Sequence, residues 1–225
     1  MKLIIDDADT EAIKRLVEYY PIDGVTTNPS ILAKAGRPPF EVLHEIRSII
    51  GPDRELHAQV VARDAKGMVA DAHRIVKELG DNTFPKVPSV PEGFKAIKQL
   101  SGEGINVTAT AIYTPLQAFI AAKAGAVYAA PYINRIDNMG YDGVGVACKI
   151  HDIFKSNNLH CEVLAASFKN SQQVLDLAVH GVGAATIASS VIDSLTKNAA
   201  IDAAVDDFVA DFEGLVGSGK TMATL

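Results

Sequence analysis

Tryptophan is absent from this chain, and cysteine occurs only at Cys148 and Cys161. Two cysteines make neither a disulfide framework nor a metal-ligand spacing, so the expected setting is a reducing cytoplasm. Long apolar runs are missing as well. The opening Met1-Lys2-Leu3-Ile4-Ile5-Asp6 holds too short an apolar stretch for a signal peptide, and no uncharged run is long enough to span a bilayer. An excess of positive charge is lacking: 21 Lys and Arg stand against 27 Asp and Glu, for a net charge of −6. That excludes a basic nucleic-acid footprint. It leaves room for a small anion, because one arginine and a few backbone amides suffice for a phosphate. The six histidines show no HExxH or paired spacing, so no metal is expected, and the first βα turn lacks GxGxxG.

What the chain has is alternation. Short apolar runs are followed by longer amphipathic segments, eight times over. The runs are Lys2 to Ile5, Gly24 to Thr27, Leu56 to Val61, Thr83 to Val87, Asn106 to Ala111, Val127 to Tyr132, Glu162 to Ala166 and Ala184 to Ala188. Continuous apolar runs fit a parallel sheet covered on both faces. The mean repeat of roughly 28 residues lies near the lower size limit of a (β/α)₈ barrel. We therefore expect an α/β TIM barrel over residues 1–198 and a helical extension over 199–225; a doubly wound open sheet gives the same alternation.

Lys86 stands in Phe84-Pro85-Lys86-Val87-Pro88, inside the fourth apolar run. Burial disfavours an ammonium, and a neutral amine can attack a carbonyl. A plainer reading is a lysine whose stem crosses apolar surface while its head reaches water. The other strand ends decide between them. They bring Asp6, then Thr26 with Asn28, then Gln59, Thr110, Tyr132 with Arg135, and Ser167. Each has a common use of its own: a cap for Asp6, β-forming shape for the threonines, an ion pair for Arg135. Polar groups at nearly every strand end are nevertheless costly to desolvate unless they serve a site.

The stretches Gly24-Val25-Thr26-Thr27-Asn28-Pro29-Ser30, Ala58-Gln59-Val60, Lys86-Val87-Pro88, Thr110-Ala111-Ile112-Tyr113, Ala130-Pro131-Tyr132-Ile133-Asn134-Arg135 and Leu164-Ala165-Ala166-Ser167 run in order along the chain. In these the sequence resembles the small-subunit transaldolase family, and within it the fructose-6-phosphate aldolases. The resemblance implies a TIM barrel without a cofactor, in which Lys86 forms a Schiff base with a ketose. It implies that Asp6 handles a proton beside the lysine, that Gln59 and Thr110 hold a water, and that Tyr132 moves the proton of the substrate hydroxyl. Thr26 and Asn28 would bind donor hydroxyls or orient the lysine. Arg135 and Ser167 would hold the acceptor's phosphate. It also implies a homo-oligomer, pentamer or decamer, with the C-terminal helix as a subunit contact.

Transaldolases resemble this pattern with glutamate in place of Gln59 and phenylalanine in place of Tyr132, so the Gln59–Tyr132 pair looks aldolase-like. Transfer of a dihydroxyacetone unit between sugar phosphates is the alternative. Ser89-Val90-Pro91, Asn138-Met139-Gly140-Tyr141 and Thr186-Ile187-Ala188-Ser189-Ser190 depart from the aldolase pattern and leave the acceptor open. A phosphosugar isomerase or binding barrel, with Lys86 as a charge clamp, and a barrel without turnover are readings of other classes.

Overall fold

The computed structural model describes residues 1–225. Eight strands run β1 (Lys2–Asp6), β2 (Gly24–Thr26), β3 (Glu55–Gln59), β4 (Thr83–Pro88), β5 (Thr108–Ile112), β6 (Tyr128–Pro131), β7 (Glu162–Ala165) and β8 (Ala184–Ile187). All neighbours pair in parallel, and β8 returns to β1 through Lys2↔Ala184 to Ile5↔Ile187, closing the barrel. That contact removes the open-sheet alternative, because a doubly wound sheet keeps two free edges. The contacts divide the chain into two units, Met1–Ile192 and Asp193–Leu225.

The helices are α1 (Thr10–Tyr19), α2 (Pro29–Ala35), α3 (Pro39–Ile50), α4 (Ala65–Leu79), α5 (Pro91–Gly102), α6 (Pro115–Lys123), α7 (Ile133–Asp137), α8 (Gly143–Ser156), α9 (Ser171–His180), α10 (Ser189–Thr196) and α11 (Ala199–Val216). Their boundaries have local causes. In α4 the Asp64 side chain accepts from the Gly67 amide, Met68, Val69, Ala72, Ile75 and Leu79 bury one stripe, and Gly80 ends the helix at φ 90°. Each fully buried side chain of that size is worth about 1.5–3 kcal/mol. Asp9 caps α1, its side chain accepting from the Glu11 and Ala12 amides.

Strand alternation divides the barrel's residues between two environments. Ile4, Phe84, Tyr128, Ala130, Leu164 and Ala184 pack in the interior. Ile5, Val25, Leu56, Val87 and Val163, one step along, are equally buried on the opposite face, where helices cover the sheet. Gly93 of α5 sets one of those contacts. A Cβ there would lie 1.8 Å from the Pro88 carbonyl oxygen, so only glycine lets α5 approach the end of β4.

Several boundaries differ from the sequence expectation. β3 starts at Glu55 and stops at Gln59, because the Val61 and Ala62 amides turn to the Asp71 carboxylate at 2.9 and 3.0 Å. The five-residue α7 has too little periodicity to be seen in sequence. α11, within the expected helical extension, runs from the Asn198 cap to Gly217. Within its own unit α11 has no buried residue, and Ile201, Val205, Phe208 and Val209 form an exposed apolar stripe.

Candidate active site

Lys86 is the third residue from the end of β4 and is only 4% exposed. Its Nζ donates to the Thr27 carbonyl oxygen at 2.9 Å, just past the end of β2. The GVTTNPS stretch builds that acceptor. Asn28 caps α2 by accepting from the Ile31 amide at 3.0 Å, and Pro29 starts the helix, so the Thr27 carbonyl is held where the strand ends.

Asp6 ends β1 and is half-buried. Its Oδ1 accepts from Thr26 Oγ1 at 2.7 Å, and Thr26 Oγ1 meets Thr186 Oγ1 at 2.6 Å. With the Thr26 proton given to the carboxylate, Thr186 is the donor in the second bond. Burial pushes the Asp6 carboxyl above the ordinary carboxylate range, against the pull of Lys86 and the Thr26 bond. Burial likewise lowers the Lys86 ammonium below its ordinary value, with Asp6 opposing and Arg135 adding to the shift. Both groups are driven toward their neutral forms, and a neutral amine is a nucleophile toward carbonyl carbon.

On the other side of Lys86, Thr110 Oγ1 and the Tyr132 hydroxyl are 2.9 Å apart. Ala111, at φ 57°, marks an irregularity between Ala109 and Ile112 where β5 pairs with β6, immediately after Thr110. Tyr113 meets the Tyr132 ring edge-on at 5.6 Å, and the Arg135 guanidinium lies 4.5 Å from the Tyr132 ring centroid. The short α7 carries Arg135 to this position, while the Asn134 amide donates to the Ser167 carbonyl oxygen at 2.8 Å. Ser167, at φ 64°, therefore sits beside the residue preceding Arg135.

Gln59 is the register partner of Lys86, on the same face of the sheet. It is half-buried and borders a cavity of about 400 Å³ lined by Pro29, Leu32, Phe40, Leu43 and Arg74 among others. The expected site residues thus fall into an Asp6–Thr26 group and a Thr110–Tyr132–Arg135 group, with Lys86 coupled electrostatically to Asp6 and Arg135. Asn28 acts on the first group through the backbone, its side-chain oxygen being used by the helix. No three His, Cys, Asp or Glu side chains converge as a metal site needs.

The profile of the family described as transaldolase/fructose-6-phosphate aldolase matches residues 3–219. The chain belongs to that family. A probable transaldolase of Geotalea uraniireducens is 43% identical over 213 residues, covering 95% of this chain and 98% of the relative. A probable fructose-6-phosphate aldolase of Streptococcus pneumoniae is 39% identical over 213 residues, covering 94% and 96%. Among solved structures, one described as native KDPGal superposes with a TM-score of 0.58 at 18% identity, over 92% of this chain and 95% of that one, a likeness of fold. Names of both kinds among relatives of similar distance leave a transaldolase/aldolase family enzyme as the common statement.

Sequence reasoning passed over three parts of this family member's barrel. The Thr27 carbonyl has no sequence signal, being backbone. Thr186 pairs with Thr26 only because the barrel closes. His57 and Glu55 stand two and four residues before Gln59, and period-2 alternation would have put all three on one face.

Proposed function

We propose that this protein is a Schiff-base aldolase that cleaves and forms fructose 6-phosphate, with dihydroxyacetone as donor and glyceraldehyde 3-phosphate as acceptor. The observation that carries the reading is Lys86: an amine enclosed at a strand end, biased toward its neutral form, with the Asp6 carboxyl electrostatically coupled to it. The amine attacks the ketose carbonyl; loss of water leaves an iminium. Breaking the adjacent carbon–carbon bond sends its electron pair into the iminium and leaves a neutral enamine. A base takes the proton of the C4 hydroxyl as the aldehyde departs, and the same group returns it in synthesis. Tyr132 with Thr110 fits that role. Asp6 moves protons during formation of the iminium, and Gln59 with Thr110 holds the water.

Thr26 and Asn28 flank the donor side. Arg135 and Ser167 offer the phosphate grip, with the guanidinium able to take two phosphate oxygens at once. An amide at Gln59 cannot serve as a base, and a phenol at Tyr132 can, which favours cleavage over transfer. The transferase reading is supported by the name of the Geotalea relative. Fructose 6-phosphate supplied with and without erythrose 4-phosphate separates the two. Free dihydroxyacetone without an acceptor supports the aldolase; turnover only with the acceptor replaces it by the transaldolase. The exposed stripe on α11 supports assembly into a homo-oligomer, and light scattering of a chain ending at Asn198 tests it: an unchanged mass removes α11 as the contact.

A further inference from the structure

Past the ends of β6 and β7, a buried amide joins two segments of the site, and the proposed chemistry leaves it unused. Gln173 sits in the first turn of α9 and is 9% exposed. Its Oε1 accepts from the Lys169 backbone amide at 2.8 Å, and its Nε2 donates to Asp137 Oδ2 at 2.6 Å. Lys169 stands two residues after Ser167. Asp137 stands two residues after Arg135, at the end of α7. The other carboxylate oxygen, Asp137 Oδ1, accepts from the Gly143 amide at 2.7 Å and so ties in the first residue of α8. A Cβ on Gly143 would lie 2.3 Å from the Ile133 carbonyl oxygen, so α8 starts directly against α7.

The partners dictate the residue type. On one side Gln173 meets a backbone N–H, which needs an acceptor; on the other it meets a carboxylate, which needs a donor. An amide serves both at once. A carboxylate at this position would face another carboxylate, and an aliphatic chain would leave the Lys169 N–H without its partner. The two segments it joins have little hold of their own. α7 is five residues long and has no side-chain cap. Ser167 is at φ 64°, a left-handed conformation that costs a residue with a side chain and persists where neighbours impose it. The Asn134 amide pins the Ser167 carbonyl oxygen at 2.8 Å, and Gln173 pins the same loop two residues on.

We propose that Gln173 and Asp137 form a clamp that fixes α7 against the loop after β7, and so sets the spacing of Arg135 and Ser167 for the phosphate of an acceptor aldehyde. Gln173 is thereby a positioning residue for phosphorylated acceptors: it touches no substrate and acts through the two segments it joins. A guanidinium and a hydroxyl grip one phosphate only if both reach its oxygens together, because hydrogen bonds weaken steeply with errors of distance and angle. That grip in turn holds the aldehyde carbon where it can react, so slack between the two segments is felt in the use of the phosphorylated acceptor.

The inference rests on the phosphate grip proposed above, and one assay keeps the two apart. Dihydroxyacetone is offered glyceraldehyde 3-phosphate or glyceraldehyde, and kcat and KM are measured for each acceptor. Gln173→Glu sets two carboxylates face to face and opens the clamp. It should raise KM for the phosphorylated acceptor about tenfold, as expected for one misaligned charge-assisted bond, and change KM for glyceraldehyde far less. Asp137→Asn should do the same, because whichever way its amide turns, one N–H faces another. The double variant restores the match: the new carboxylate accepts from the Lys169 amide and from the new side-chain amide, whose oxygen accepts from Gly143. It should recover most of the preference for the phosphorylated acceptor, which loss of packing does not do. If Gln173→Glu does not fold, Asp137→Asn serves as the single variant, with the same recovery expected on adding Gln173→Glu. A parent-like preference in the single variants, equal losses for both acceptors, or no recovery in the double variant overturns the clamp. Arg135→Gln is the control: a preference unchanged by it overturns the phosphate grip, and the clamp with it.

Discussion

The barrel interior contains a lysine, a carboxylate and a tyrosine twice, once at its floor and once at its mouth, and the two sets behave in opposite ways. At the floor Lys2, Glu55 and Tyr128 bond directly to one another, and the ion pair holds Glu55 ionised and Lys2 charged. At the mouth Lys86, Asp6 and Tyr132 each take a different partner: a backbone carbonyl, a threonine and another threonine. Burial there pushes Lys86 and Asp6 toward neutrality. The same side-chain types serve cohesion where they pair and reactivity where they are kept from pairing. The difference is geometric, since a short ion pair compensates desolvation and an indirect coupling does not.

The largest effect expected on this contrast is Lys86→Met. It should abolish the borohydride-trapped adduct and all cleavage of fructose 6-phosphate, and yet raise the melting temperature at neutral pH. The sign follows from the lowered ammonium: between its folded value and the ordinary 10.5 the unfolded chain binds the extra proton, so the parent gains stability as pH rises. The advantage of Lys86→Met should therefore shrink toward pH 10.5. A variant less stable than the parent at pH 7 would mean that Lys86 sits charged and well paired.

Next comes Tyr132→Phe, which keeps the ring under Arg135 and deletes the phenol. A loss of about 10²-fold in cleavage rate is expected, with the adduct on Lys86 still trapped. Equal loss of trapping and cleavage would place Tyr132 in formation of the adduct instead.

Arg135→Gln should raise KM for a phosphorylated acceptor about tenfold and leave an unphosphorylated one nearly unchanged, as expected for a lost charge-assisted grip. Equal effects on both acceptors would move the phosphate elsewhere.

The last expected effect is on stability rather than rate, and lies at the floor. Glu55→Gln should destabilise the fold by about 1–2 kcal/mol, below the value for a fully buried pair because the Lys2 side chain is 46% exposed. Glu55 stabilises the fold above the ordinary 4.5, and that contribution is lost as pH falls through about 2. Acid titration of stability should accordingly be flatter in Glu55→Gln across that window; a curve parallel to the parent's would show that the ion pair adds nothing.

Much of this was legible without coordinates. The strand runs and the glycine stops are local, because backbone preference and neighbouring side chains act within a few residues. Lys86 was conspicuous because an ionisable group in an apolar run between two prolines invites a pKa argument. The short α7 was not legible, because five residues carry no period. Nor was the link between Thr110 and the Tyr132 hydroxyl, formed across a β5–β6 pairing whose register shifts beside Thr110.

Residue pattern alone therefore established eight strand–helix units, an uncommon lysine and a ring of polar strand ends, since each depends on chemistry within one segment. Tertiary structure decided that the sheet closes, that Thr186 meets Thr26, and that Glu55 and His57 lie under Lys86. Those contacts join residues far apart in the chain, and only closure and register select which side chains share the enclosed space.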